Sequence, residues 1–264
     1  MRANRVREVM MAGDTVVCGW LSSDSAYAAE SLSHAGFDAI AVDLQHGMFG
    51  LDGAISLIQA VSAGPATPMA RCSSLDPAMI GKLMDAGAYG IICPSVDTAA
   101  QALEFVGACR YPPTGRRSFG PSRGLLYGGS DYVERADDTI MAWAMIESVE
   151  ALRNLDAILA VQGLDGVYVG PNDLALSMGL RPGTAQMPSE VAAAVELVRA
   201  AARAAGVRSG LFCASASMAA QMARLGWDLV TPGNDMAILR EAVAARVATI
   251  RGPIAAGTAD GGGY

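Results

Sequence analysis

Short apolar runs alternate with longer, alanine-rich amphipathic stretches through nearly the whole chain, and that alternation restricts the fold more than any other feature. Runs at Thr15–Leu21, Asp38–Asp43, Pro68–Cys72, Gly90–Cys93, Ile140–Ile146, Gly166–Val169, Arg208–Cys213 and Asp228–Thr231 read as strands. Helical periodicity follows each one, at Asp24–His34, Leu51–Val61, Asp76–Ala86, Thr98–Cys109, Ser148–Val161, Ser189–Ala205, Ser215–Leu225 and Asn234–Ile250. Eight β-then-α units with no long antiparallel hairpin predict an α/β architecture, a closed (β/α)8 TIM barrel. The chain has 264 residues, and one such barrel takes about 250. A single catalytic domain is expected over residues 1–251, followed by a Gly- and Ala-rich tail at 252–264 that reads as disordered. An open doubly wound sheet is the competing arrangement, but no Gly-x-Gly-x-x-Gly turn follows the first strand.

Composition narrows the class of partner. The net charge of −7 and the lack of a basic run argue against nucleic acid. No apolar run reaches the roughly 20 residues that span a membrane, and Met1 to Asp14 has no signal-peptide core. Five scattered cysteines without a Cys-x-x-Cys pair fit structural thiols in a reducing compartment, so a cytoplasmic enzyme is expected. Arg110–Ser130 is long for a connection and rich in Pro, Gly and Arg, which marks it as a functional loop.

Barrels carry their chemistry at the C-terminal ends of their strands. Reading those ends in turn collects a polar set: Asp43, Gln45 and His46 after the second strand, Arg71 at the third, Glu147 at the fifth and Asp173 just past the sixth. Two carboxylates from adjacent strands suit a hard divalent cation that keeps open positions for water and a 2-oxo acid. Taken singly, each acid is equally a helix cap; together, facing an arginine and a histidine, they point to a metal site. His46 lies three residues from Asp43, near enough for the carboxylate to hold one ring nitrogen and leave the other free for proton transfer. A structural histidine is the alternative, as at His34 near a helix end. Arg71 offers fixed positive charge to an oxyanion or carboxylate, or else closes the barrel mouth as a salt bridge. Gly170, Pro171, Asn172 and Asp173 open a short helix at Asp173–Met178 whose backbone could receive an anion.

Lysine usage bears on covalent chemistry in the barrel. An imine mechanism needs a lysine inside the barrel. The sequence has one lysine, Lys82, in the middle of an outer helix. A Schiff-base lysine is therefore not expected, nor is a nucleotide cofactor.

These residues resemble the 4-hydroxy-2-oxoheptanedioate aldolase family, the class II pyruvate aldolases of the phosphoenolpyruvate/pyruvate barrel superfamily. The carriers are Asp-Leu-Gln-His at 43–46, Arg71, Leu-Met-Asp-Ala-Gly-Ala-Tyr-Gly-Ile-Ile at 83–92 and Arg-Tyr-Pro-Pro-Thr-Gly-Arg-Arg-Ser-Phe-Gly at 110–120. Glu147 and Gly-Val-Tyr-Val-Gly-Pro-Asn-Asp-Leu at 166–174 complete them. The resemblance runs from about Gly19 to Thr231. It implies that Glu147 and Asp173 bind Mg2+, Mn2+ or Co2+, and that His46, oriented by Asp43, moves protons. It implies that Arg71 stabilises developing charge and that backbone at Gly170–Asp173 holds a carboxylate. It also implies a homohexamer, a trimer of dimers that exchange the last barrel helix. Gln45 and Met145 stand where many members have Glu and Gln. These and the Ala-Met-Ile-Glu run resemble a subgroup that accepts hydroxypyruvate as well as pyruvate. The implied reaction is reversible cleavage of a 4-hydroxy-2-oxo acid to that donor and an aldehyde. Two readings compete: a CoA-ester lyase of the citrate lyase β-chain or malyl-CoA lyase type, and a non-catalytic barrel that only senses a 2-oxo acid.

Overall fold

Eight parallel strands close on themselves in sequence order, each hydrogen-bonded to the next and the last to the first, in the computed structural model, which describes residues 1–183 and 187–252. They are β1 (Val16–Leu21), β2 (Ala39–Asp43), β3 (Thr67–Arg71), β4 (Gly90–Cys93), β5 (Met141–Ile146), β6 (Gly166–Val169), β7 (Arg208–Phe212) and β8 (Leu229–Thr231). Each lies within one residue of its predicted boundary. The expected tail, apart from Gly252, lies outside the described residues.

Strand parity builds two cores. Residues that point outward, among them Ile40, Val42, Ala70, Ile91, Val167 and Val169, join one buried cluster with the surrounding helices. Their alternates point inward: Cys18 and Trp20, Ala39 and Ala41, Met69, Ile92, Trp143 and Met145, Tyr168 and Leu229 form a second cluster that fills the barrel. Close packing of the large inward rings depends on glycine in the neighbouring strand. Trp143 sits beside Gly166, its partner in register, and a Cβ there would fall within 2.3 Å of the indole. Tyr168 likewise lies against Gly210, where a Cβ would come within 2.7 Å.

Helix α1 (Arg5–Met11) closes the N-terminal end of the barrel. Val6 and Met10, four residues apart and so on one face, pack into the interior cluster. Asn4 caps the helix through Val6 N–H and donates to the carbonyls of Tyr89 and Thr139 at 3.0 and 2.8 Å. That leaves the C-terminal mouth as the way into the barrel interior.

The outer helices follow the predicted periods, except that one is split and two, at Ser122–Gly128 and Tyr132–Thr139, were not expected. The stretch expected as one helix at Ser148–Val161 is two, which are numbered α8 (Val149–Arg153) and α9 (Leu155–Leu159) below. Asn154 breaks them: its side chain donates to the Asp97 carbonyl at 2.8 Å, and its own backbone leaves the helical region. In order before them come α2 (Ala26–Ser33), α3 (Leu51–Val61), α4 (Pro77–Asp85), α5 (Ala99–Cys109), α6 (Ser122–Gly128) and α7 (Tyr132–Thr139). After them come α10 (Pro171–Ser177), α11 (Ser189–Ala205), α12 (Ala216–Arg224) and α13 (Asp235–Arg251). The segment 110–130, expected as loop, thus holds α6. Gly124 and Gly128 weaken its helical signal, yet both are buried against Tyr132, which leaves no room for a Cβ at 128. Lys82 is exposed on α4, on the outer ring. The five cysteines are buried and unbridged. Among the described residues, no helix is long and apolar enough to cross a membrane.

Because the Trp143 ring has no slack, Gly166→Ala is expected to destabilise the protein by about 1–3 kcal/mol. Thermal unfolding would then shift down by about 2–4 °C per kcal/mol. An unchanged melting temperature would contradict this account of the interior packing.

Candidate active site

The inward columns of apolar residues end in polar ones at the C-terminal mouth. Ala39 and Ala41 are followed by Asp43, Met69 by Arg71, and Met141, Trp143 and Met145 by Glu147. The period of two that packs the barrel therefore also aims these three side chains into its mouth.

Asp43 and Arg71 are direct partners in the β2–β3 register. The guanidinium grips the carboxylate with two bonds, Nε to Oδ1 at 2.8 Å and Nη2 to Oδ2 at 2.5 Å. Both residues are buried. The Trp20 indole N–H donates to Oδ2 at 3.1 Å, and the Arg71 guanidinium lies 5.0 Å from the Trp20 ring centroid. Burial alone pushes the Asp43 carboxyl up, but the bonds and charge of Arg71, with Trp20 and a backbone N–H, overcome it and hold it below the usual value.

The expected link between Asp43 and His46 takes a particular form. Asp43 Oδ1 accepts the backbone N–H groups of Gln45 at 3.0 Å and His46 at 3.3 Å. The carboxylate thus fixes His46 through the main chain of the turn after β2. His46 stands at the rim within the field of Arg71, Asp43 and Asp173. Desolvation and the Arg71 charge push its imidazole below the ordinary value, against the opposing pull of the two carboxylates. A neutral imidazole, able to accept a proton, follows at neutral pH.

Glu147 lies across the mouth, buried just past β5. Its Oε1 accepts the Ser95 backbone N–H at 2.7 Å. Its Oε2 is buried and has no hydrogen-bond partner. The register of β5 and β6 puts Glu147 beside Gly170, where a Cβ would fall 2.8 Å from Oε2. Burial pushes the Glu147 carboxyl up; the Ser95 N–H pulls it back, Asp173 raises it further and Arg71 opposes. An ionised carboxylate oxygen without a partner is costly in such a place. A cation between Glu147 and Asp173 would satisfy the orphaned oxygen and cancel the repulsion, so the residues present fit a divalent metal. Among the described residues there is no cluster of three or more His, Cys, Asp or Glu. Two carboxylates would offer oxygen donors, the kind that suits a hard, oxygen-seeking ion.

Gly170 N-caps α10 without a side-chain bond, Pro171 occupies its first turn, and Asp173 is its first-turn acid. The first-turn N–H groups of Asn172 and Asp173 have no intrahelical partner. Arg71, Met145 and the 170–173 segment border one small cavity together with Trp20, Tyr168 and Phe212. Those three rings pack on one another, Trp20 5.6 Å from each of the other two, stacked on Tyr168 and edge-on to Phe212. Sequence reasoning did not single them out. Trp20 and Tyr168 share the inward parity of the apolar columns, which was the available signal. Ser95 was also missed, and its position in an irregular loop gave no periodic signal at all.

Comparison with known proteins follows from this geometry. The family described as HpcH/HpaI aldolase/citrate lyase matches residues 17–242. A hydroxypyruvate/pyruvate aldolase of Rhizorhabdus wittichii is 42% identical over 248 residues, which cover 94% of this chain and 99% of that protein. A 4-hydroxy-2-oxo-heptane-1,7-dioate aldolase of Salmonella dublin is 36% identical over 249 residues, covering 92% and 94%. Among solved structures, an HpcH/HpaI aldolase/citrate lyase family protein from Burkholderia cenocepacia superimposes with a TM-score of 0.87 at 28% identity, covering 94% of this chain and all of that one.

The Asp43–Arg71 pair predicts a specific loss. Asp43→Asn removes the charge that the buried Arg71 guanidinium grips with two bonds and is expected to cost about 3–5 kcal/mol at pH 7. Asp43's carboxyl is lowered in the fold, so its contribution is full above the usual carboxylate range and is lost as pH falls through the folded value. The stability gap between wild type and Asp43→Asn, measured by urea unfolding, should therefore narrow in acid. A gap that stays constant with pH would contradict the assignment.

Proposed function

This chain belongs to the HpcH/HpaI aldolase/citrate lyase family, and from that premise we propose that it cleaves a 4-hydroxy-2-oxo acid reversibly to pyruvate, or hydroxypyruvate, and an aldehyde. Glu147 and Asp173 would hold the divalent metal, Mg2+, Mn2+ or Co2+. The observation that carries this reading is the buried, unpartnered Oε2 of Glu147 beside a second carboxylate. Bound there, the cation supplies positive charge that polarises a 2-oxo group.

The chain's own residues account for the rest of the reaction. The N–H groups of Asn172 and Asp173, with Gly170 and Pro171 shaping the turn, receive the substrate carboxylate. Arg71, held rigid by its fork on Asp43, presents charge to the cavity where negative charge grows on the substrate oxygen. His46, kept neutral, takes the proton from the 4-hydroxyl as the C3–C4 bond breaks to release the aldehyde, and delivers it to C3 of the resulting enolate to give the donor. Addition runs the same transfers backwards, beginning with proton abstraction from C3. Trp20, Tyr168 and Phe212 wall the cavity with apolar surface, which keeps water from the reacting carbon. Met145 adds an apolar side chain to that wall.

The homohexamer with exchanged last helices is supported by α13. None of its residues is buried, and Leu239, Val243 and Ile250 are exposed along it. Its start is nonetheless anchored, because Asp235 accepts the backbone N–H groups of Ser22 and Ser23 at 2.9 and 3.1 Å. Sedimentation as a monomer would contradict this assembly.

Chelation is expected to abolish aldol cleavage, and Mg2+, Mn2+ or Co2+ to restore it. Glu147→Ala should lose metal binding. Arg71→Lys should keep the metal, because it keeps the charge, but lose roughly a hundredfold in kcat because the fork is gone. Full turnover by metal-stripped enzyme would overturn the proposal.

A further inference from the structure

The loop between β4 and α5 contains the one non-glycine residue, among those described, with a positive φ: Ser95, at 55°. An L residue is uncommon there and is held only where the surroundings demand it. In this conformation the Ser95 N–H points at Glu147 and donates to Oε1 at 2.7 Å, with the Ser95 hydroxyl 3.5 Å from the same oxygen. The loop is pinned to the start of the next βα connection on its far side. Ser148 Oγ donates to the Asp97 carboxylate, and Asn154 Nδ2 to the Asp97 carbonyl at 2.8 Å. Ser95's amide therefore cannot swing away from β5 without breaking those bonds.

The other oxygen of the same carboxylate has the opposite environment. Oε2 lies against Gly170, in space that a Cβ would enter, and has no hydrogen-bond partner. One oxygen is committed to a fixed donor and the other is left with room. We propose that Ser95 is a positioning residue that makes Glu147 bind a divalent cation through Oε2 alone. The inference rests on the reading of Glu147 and Asp173 as the metal pair. A carboxylate chelating through both oxygens subtends too narrow an angle for a near-octahedral ion. Binding through one oxygen leaves adjacent positions for both oxygens of a 2-oxo acid.

Mn2+ binding by folded, metal-stripped protein, followed by electron paramagnetic resonance of the free ion, tests the proposal. Ser95→Gly and Ser95→Ala keep the N–H in place and should bind within about threefold of wild type. A β-branched side chain avoids the left-handed region, so Ser95→Val should weaken binding about tenfold or more. Ser95→Gly should also raise the melting temperature without changing affinity, which separates relief of strain from positioning. A folded Ser95→Val protein with wild-type affinity overturns the proposal. A second measurement needs no variant: the Ser95 amide should stay protected from hydrogen exchange when Mg2+ is added to wild type. Loss of protection on metal binding would mean that Oε1 has joined the ion, and also overturns it. Glu147→Ala that binds Mn2+ like wild type would instead sink the metal-pair reading itself.

Discussion

The forked bond between Arg71 and Asp43 places two opposite charges side by side inside the barrel mouth, and much of the site is arranged around it. Two buried charges of this kind are tolerable only when geometry is close and every lone pair is used. The register of β2 and β3 supplies the closeness, and Trp20 and the turn at 45–46 use the remaining acceptor capacity of Asp43. One carboxylate thereby fixes a guanidinium, an indole and the main chain that carries His46. Loosening it would move the charged wall, the aromatic wall and the proposed base together.

Across the mouth the same strand geometry produces a site of opposite character. Glu147 continues the inward column of β5, and Gly170 continues that of β6, so an acid meets a position with no side chain. The result is a carboxylate with one oxygen satisfied by Ser95 and the other buried without a hydrogen-bond partner, in the opposing fields of Asp173 and Arg71. On one side, then, charge is balanced within the protein; on the other, the proposed cation would balance it. That asymmetry is what a reaction passing through a developing negative charge requires.

The barrel was legible because its strands are short apolar runs and its helices long amphipathic ones, two periods that do not imitate each other. Asp43, Arg71, Glu147 and Asp173 were legible because each lies at or just past the end of such a run, and strand ends converge in a closed barrel. Other features depend on tertiary contact alone. Helix α6 carries two glycines that argue against a helix until Tyr132 is seen packed on them. The break at Asn154 comes from a bond to a loop more than fifty residues away in sequence. Ser95 has no periodic neighbour, and its left-handed backbone is set by the two βα connections that meet over it. The ring contacts among Trp20, Tyr168 and Phe212 join three strands that no local pattern relates.

The account turns on proton abstraction from a bound 2-oxo acid at a metal site built by Glu147. Exchange of the pyruvate methyl protons into D2O, followed by proton NMR, reports that step without any aldehyde present. Wild-type protein with Mg2+ is predicted to exchange them, and metal-stripped protein and Glu147→Ala to leave them intact. Exchange that persists unchanged after the metal is removed, or its absence when Mg2+ is bound, would contradict the account.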